Sequence, residues 1–456
     1  MTKLLFHWYH FPPIGGSGAQ RPLKIVRHLA GLGYESVVVT AGGATTDRWA
    51  PEDATLLGEV PQGTEIRRVD SSGEPELSFG WRRAAERWLG VPDRWARWWA
   101  EASYRLGREV GRDCELIYVW MQPYASAPAG ARLSASLGVP WVADLGDPWA
   151  LDENMIFATG LHRRSAMREM KKLLGTASAI VLSTPEAVSR LRRDLPELAH
   201  VPLHAIANGY DADDFTGEPR RRDDGKFRIV HTGYLHTEIG EQHRRRQRMR
   251  EALRASPPGL DILTRSHVFL IEAVERLIAA EPALADVVEI QLAGVLNETD
   301  KRVAERSRVV TLRGYVTHAE SIELMQSADL LFLPMQNLPP GIRATIVPGK
   351  TYEYLASGSP ILAAVPDGDA RDILDEAGHA RFVRPDDVDG MAKSIRDQIE
   401  GWRAGSPPPR PDAKVVERYE YGRLADSLAE VFRKVLRTSG SARSDAAQTE
   451  TARERA

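Results

Sequence analysis

Short β-branched apolar runs alternate with stretches of helical periodicity along most of the 456-residue chain. Leu4–Phe11 reads as a strand, Ala19–Gly31 carries apolar residues at helical spacing and stops at glycine, and Ser36–Thr40 (SVVVT) reads as a buried strand. Strand, helix, strand in that order specifies a parallel pair, because the crossover is right-handed and packs its helix back on the sheet. The alternation resumes with strands at Leu116–Trp120, Trp141–Asp144, Ala179–Ser183 and His204–Ala207, with helices at Ala125–Leu137 and Pro185–Asp194 between them. One α/β domain is therefore expected over residues 1–207.

A second series follows, over residues 208–402. Phe227–Thr232, Val288–Ala293, Val309–Leu312, Leu330–Pro334 and Pro360–Ala364 read as strands. Val268–Ala280, His318–Ser327 and Lys350–Ala356 read as helices, and Thr317 with Glu320 forms a capping box. No fixed-period repeat is present, so the expectation is two related layered domains and not a solenoid. Three segments depart from the pattern. Residues 236–265 include HRRRQRMRE and read as a charged insertion, a solvated surface loop in preference to a flap over a ligand. Pro407–Pro411 is a linker to a helix at 414–437, and 438–456 is small, polar and expected to be disordered.

Composition serves mainly to exclude. With 60 basic against 63 acidic residues the net charge is −3, so no global basic field points to nucleic acid. Cys114 is the only cysteine, which removes internal disulfides and cysteine metal clusters. No apolar run reaches the ~18 residues of a spanning helix, and MTKLLFHWYHF is too short and too polar for a signal peptide. The expected compartment is the cytoplasm.

Five constellations carry chemical possibilities. Pro12-Pro13-Ile14-Gly15-Gly16-Ser17-Gly18 lies between the first strand and the first helix. Glycines there let backbone approach a ligand, and a helix N-terminus suits phosphate; the plainer reading is a tight turn. It is neither a dinucleotide fingerprint nor a P-loop. Pro348-Gly349-Lys350-Thr351-Tyr352-Glu353 opens a helix whose first amides, with Lys350, suit a diphosphate. Glu353, one turn on, is placed to accept both hydroxyls of a ribose, or simply to complement the helix dipole. Asp144-Leu145-Gly146-Asp147-Pro148-Trp149 ends a strand, at the edge where ligands of parallel sheets sit; a capped turn around a buried tryptophan is the equal alternative. Ala207-Asn208-Gly209-Tyr210-Asp211 reads best as a hinge, and Asp211, Asp213 and Asp214 as a solvated acidic loop and not a metal site. Trp81, Trp88, Trp95, Trp98 and Trp99, interleaved with Arg82, Arg83, Arg87, Arg94 and Arg97, suit core packing, an acceptor pocket or an anionic membrane surface, in that order.

Taken together, the ordered blocks FPPIGGSGAQRP, WVADLGDPW, VLSTPEAVSRL, IANGYD, FRIVHTGYL, LRGYVTH and PGKTYEYLASGSPILA resemble the retaining GT-B glycosyltransferases of family 4, of the bacterial cell-envelope and natural-product type. The resemblance covers roughly residues 1–215, 226–235 and 262–437. It implies two Rossmann-like domains facing across a cleft, with the acceptor on the first, a UDP- or GDP-sugar on the second, and the last helix crossing back to the first. It places Gly15, Gly16 and Gly233 near the donor phosphates. Lys350 and the amides of Gly349 and Thr351 hold the diphosphate, Arg265 neutralises the leaving group, Glu353 binds the ribose, and Tyr315 and Val316 border the base. Asp147 is the best match for an acceptor-orienting residue. Arg265, Lys350 and Asp147 are the catalytic candidates, and no metal or other cofactor is expected. Expected partners are the donor and a small-molecule or lipid-linked acceptor, with peripheral membrane contact open.

One position departs from the family: its paired glutamates stand eight apart, and the first falls at Thr345. Two other readings stand beside the transferase. A nucleotide-sugar epimerase on the same fold needs clustered carboxylates and histidines, which the sequence does not display. A non-catalytic nucleotide-sugar binder predicts binding without turnover. A pyridoxal-phosphate phosphorylase is disfavoured, because none of the ten lysines besides Lys350 stands where a Schiff base would form.

Overall fold

The computed structural model describes residues 1–43, 51–75, 88, 94–216 and 222–454. The chain forms two compact units: Met1–Leu151, Leu161–Ala207 and Tyr421–Ala456 make the first, Asp152–Gly160 and Asn208–Glu420 the second. The IANGYD turn thus falls where the chain passes from one unit to the other. A linear division at residue 207 does not anticipate that 152–160 belong with the second unit.

The first unit holds a seven-stranded sheet of order β3-β2-β1-β4-β5-β6-β7. Its strands are β1 (Thr2–His7), β2 (Tyr34–Thr40), β3 (Glu65–Arg68), β4 (Leu116–Trp120), β5 (Trp141–Leu145), β6 (Ala179–Leu182) and β7 (Leu203–Ala205). All pairings are parallel. The second unit holds a six-stranded parallel sheet of order β10-β9-β8-β11-β12-β13. Its strands are β8 (Phe227–Thr232), β9 (Val288–Ala293), β10 (Val310–Gly314), β11 (Leu330–Pro334), β12 (Ile361–Ala364) and β13 (Ala380–Val383). This is the α/β architecture of two Rossmann-like sheets expected for a GT-B chain. The central strands β4, β5, β6, β11 and β12 are buried along their whole length, which is why they read as continuous apolar runs.

The sequence reading misses β3 and β13. Each is a sheet edge with a single neighbour, and EIRR and ARFV are only partly buried, so neither shows an apolar run. The reading also extends the first strand to Phe11, whereas β1 stops at His7. Residues 236–265 are not a loop: Thr237–Ala252 is a regular helix. The helix expected at 414–437 is two helices, Ala413–Glu417 in the second unit and Tyr421–Glu454 in the first. The second of these continues through the segment expected to be disordered, to Glu454. Its Leu424, Ala425, Leu428 and Phe432 pack in one core with Phe6 and Tyr118.

A buried ion pair organises the first unit. Arg21, on the helix Ser17–Gly31, is 2% exposed and bonds the fully buried Asp144 of β5 at 2.9 Å. Tyr118 also donates to that carboxylate, and Arg21 donates to the carbonyls of Ile206 (3.1 Å) and Ala207. Burial pushes the Asp144 carboxyl up, against the pull of the Arg21 charge. Asp144 is therefore a structural partner and not part of a ligand edge. Of the described tryptophans in the Trp/Arg stretch, Trp99 is core, Trp95 and Trp98 are partly buried, and Trp88 is 59% exposed. Trp99 is fully buried and donates to Ser126 Oγ at 2.9 Å, and Trp95 packs edge-on against Tyr9 with ring centroids 5.2 Å apart. Trp81, Arg82, Arg83 and Arg87 lie outside the described residues. Among the described residues, no helix is long and apolar enough to cross a membrane.

Candidate functional site

In the second unit the strand order reverses between β8 and β11, the switch point where open parallel sheets bind ligands beyond the strands' carboxyl ends. β8 ends there in Thr232 and Gly233. Gly233 has φ +102°, which favours glycine, and a Cβ on it would lie 2.9 Å from Lys350 Nζ, so the lysine would have to move aside.

Lys350 opens the helix Lys350–Ser357. Helix termini expose N–H groups without intrahelical partners and carry partial positive charge. Its side chain, partly buried, reaches back to the strand end, with Nζ 3.2 Å from His231 Nε2. His231 Nδ1 lies 3.0 Å from the Phe332 carbonyl, which assigns that nitrogen as donor and Nε2 as acceptor of the lysine N–H. Burial and the neighbouring Lys350 hold the His231 pKa well below its ordinary value, so the ring is neutral. Burial, together with the charge of Arg265, lowers the Lys350 pKa to about 7, and Glu353 opposes this. The Arg265 charge thus reaches Lys350 at this end of the sheet, and an anion bound there would favour the charged form of the lysine.

Arg265 precedes the helix Val268–Ala280 and is held by its backbone. Its N–H donates to Ile262 O (3.0 Å), and its carbonyl accepts from His236 N (3.0 Å). The turn is tied to the end of β11 by an antiparallel bridge between Asp261 and Asn337, and by Thr264 Oγ1 donating to Met335 O at 3.0 Å. The helix Thr237–Ala252 lies between β8 and Arg265 in sequence, yet His236 and Arg265 meet across it.

Of the amides expected to face a diphosphate, that of Thr351 donates to Pro348 O at 2.9 Å. Gly349 is helical, with φ −53° and ψ −39°, and a Cβ there would meet nothing within 4 Å. Glu353 is partly buried on the next turn of the helix. Its neighbour Tyr354 is fully buried and its hydroxyl accepts from Thr232 N at 3.0 Å, pinning this helix to β8; burial pushes its pKa up to about 12. Tyr315, after β10, is 42% exposed, and Val316 is partly buried. The capping box of Thr317 and Glu320 is present, and His318 bonds Asp214 at 3.0 Å.

Thr345, which stands at the position of the family's first glutamate, is fully buried and engaged. Its Oγ1 donates to Glu153 Oε2 at 2.6 Å and its N–H to Glu153 Oε1 at 3.0 Å. Sequence reasoning missed Glu153, which stands 192 residues earlier in the chain.

Gly15, Gly16 and Asp147 belong to the first unit. The Gly15 N–H donates to Pro51 O at 2.7 Å, and Gly16 has φ +78° at the start of its helix. Asp147 accepts from Gln122 Nε2 at 3.1 Å, and its carbonyl accepts from Tyr124 OH at 3.2 Å. Tyr124 stacks on Trp149 with centroids 5.1 Å apart. Trp149, 7% exposed, adopts φ +49°, a conformation rare for a bulky side chain and met most often at functional sites.

Residues 263–400 match the family described as "Glycosyl transferases group 1". No curated protein sequence matches the chain. Among solved structures, Alr3699/HepE from Anabaena, in complex with UDP and glucose, is similar with a TM-score of 0.60 at 14% identity, over 95% of this chain and 100% of that one. A UDP-forming α,α-trehalose-phosphate synthase from Burkholderia xenovorans is similar with a TM-score of 0.57 at 14% identity, over 96% and 100%. A Listeria monocytogenes protein described as a UDP-N-acetylglucosamine 2-epimerase gives a TM-score of 0.54 at 12% identity, over 94% and 95%. At these identities the likeness is one of fold.

Proposed function

We propose that the chain is a retaining glycosyltransferase that moves a sugar from a UDP-sugar to a small-molecule, natural-product or lipid-linked acceptor. The observation that carries this reading is the place of Lys350 at the switch point, beside Gly233 and His231, opening a helix that also bears Glu353. The group 1 match spans that site. Two of the similar folds, the Anabaena protein in complex with UDP and glucose and the UDP-forming Burkholderia synthase, favour UDP over GDP.

In this reading Arg265, Lys350 and the backbone amides of Gly349 and Lys350 bind the diphosphate, while that of Thr351 is already bonded to Pro348 O. As the glycosidic bond to phosphate breaks, negative charge grows on the leaving oxygen, and fixed cations stabilise it where it develops. No metal is invoked, since these groups supply the positive charge. Glu353 accepts the ribose hydroxyls, Tyr315 and Val316 border the base, and Gly233 lets Lys350 approach. Gly15 and Gly16 add backbone beside the phosphates, and Asp147 orients the acceptor. Attack from the leaving group's side lets a phosphate oxygen take the acceptor's proton, which gives retention without a protein base. The enzyme acts in the cytoplasm, with peripheral contact at the membrane where the acceptor is lipid-linked.

The test is turnover of UDP-sugars with a panel of acceptors. Release of UDP together with a glycoside of unchanged anomeric configuration, lost in Glu353→Ala, is the expected result; normal turnover by that variant would sink the site assignment. Because one similar fold carries an epimerase description, the same reactions without acceptor discriminate the alternative: an altered sugar nucleotide would identify an epimerase.

A further inference from the structure

After β5 the chain does not pass directly into the rest of the first unit. Asp152–Gly160 run with the second unit. Phe157 N–H donates to Ala255 O (3.1 Å) and Gly160 N–H to Leu253 O (2.8 Å), both just beyond the helix Thr237–Ala252. Between those two acceptors Arg254 adopts φ +51°, a strained conformation for a long side chain. The arginine-rich helix therefore leads into a turn, Leu253–Ala255, that holds this strap in place.

The strap delivers Glu153, which is 2% exposed. Besides its two bonds from Thr345, the carboxylate accepts Gln336 Nε2 at 3.3 Å. With Nε2 donating to Glu153, the Gln336 amide turns its NH2 toward the carboxylate and its oxygen away. Gln336 lies two residues beyond β11, the neighbour of β8 at the switch point, and is 0% exposed. Its Oε1 has no hydrogen-bond partner among the described residues. A buried acceptor left in this state costs free energy until a donor arrives. A diphosphate offers no donor and would be repelled by the adjoining carboxylate, whereas the hydroxyls of a sugar supply O–H groups.

On the reading of the site as a nucleotide-sugar site, we propose that Gln336 Oε1 accepts a hydrogen bond from one hydroxyl of the transferred sugar. Glu153 is the positioning residue that fixes the amide in that orientation. The site then divides by chemistry: Arg265 and Lys350 take the phosphates, and the Glu153–Gln336–Thr345 cluster reads the sugar.

The experiment compares calorimetric binding of UDP, a panel of UDP-sugars, and monodeoxy analogues of the best-bound member. The proteins are wild type, Gln336→Met and the near-isosteric Glu153→Gln. In both variants the Kd for UDP should stay within about twofold and that for the UDP-sugar should rise about tenfold or more. Wild type should also penalise loss of one particular hydroxyl, and Gln336→Met should not. Equal losses for UDP and UDP-sugar would reduce the cluster to a structural tie, and overturn the proposal. So would unchanged UDP-sugar binding in Gln336→Met, or a wild type that binds UDP but no UDP-sugar. Failure of wild type to bind UDP at all would instead defeat the nucleotide-sugar reading on which the proposal rests.

Discussion

Lys350 concentrates the electrostatics of the site in one side chain. A lysine whose folded pKa is depressed from 10.5 to about 7 is charged in the folded protein only below that pH. Between pH 7 and 10.5 the unfolded chain binds the proton and the native one does not, so this group's destabilising contribution is present in full below pH 7 and is relieved as pH rises through that window. Ligand binding runs the other way. A diphosphate favours the charged amine, so binding above pH 7 takes up a proton and weakens as pH increases. Between pH 7 and 9 the UDP affinity of wild type should fall, with enthalpies that depend on buffer ionisation, and Lys350→Met should bind weakly with neither effect. A wild-type affinity independent of pH, with no proton uptake, would contradict the assignment. Lys350 was legible in the sequence because glycine, lysine and a helix start stand in consecutive positions. Glu153 was not: it meets Thr345 only through folding, and nothing near residue 153 marks it. The departure at Thr345 was visible in the sequence, but the carboxylate that engages it was not.

Two glycines flank the helix Lys350–Ser357, and their conformations separate a role in the fold from the role proposed at a ligand. Gly358 caps it in the left-handed region at φ +71°, with open space around a would-be Cβ. Gly358→Ala should therefore cost about 1 kcal/mol of stability, from backbone strain alone, with UDP binding unchanged. Gly349 is in an ordinary helical conformation with no neighbour to obstruct a side chain. Gly349→Ala should leave stability the same or raise it by about 0.4–1 kcal/mol, yet weaken UDP about tenfold or more if a phosphate approaches that backbone. Urea denaturation paired with calorimetry separates the two, and an unaltered UDP affinity in Gly349→Ala would remove the phosphate from this turn. At this scale legibility followed burial. The fully buried strands β4, β6, β11 and β12 announce themselves as apolar runs. The half-exposed edges β3 and β13 do not. The helix Thr237–Ala252 is hidden by its own charge, since few of its residues are buried: Thr237, Gly240 and His243.

For the whole molecule, two parallel sheets each contain a strand-order reversal, and the proposed site lies at that of the second. In the proposed reading, cations, helix amides, a carboxylate one turn on and a buried amide take the phosphates, the ribose and the sugar in turn. The alternation that predicted two α/β layers is a property of many fold families; the residues at the strand ends, and not the architecture, carry the functional reading. The path of Asp152–Gly160 was beyond the reach of local patterning, because a segment's choice of unit depends on backbone partners such as Leu253 and Ala255 that lie about a hundred positions away. The most direct test of the central claim is calorimetric titration of UDP, GDP, TDP and ADP into wild type and Glu353→Ala. The account predicts that UDP binds selectively and that the variant loses about tenfold or more of that affinity. Binding of none of the four, or equal UDP affinity in the variant, would contradict it.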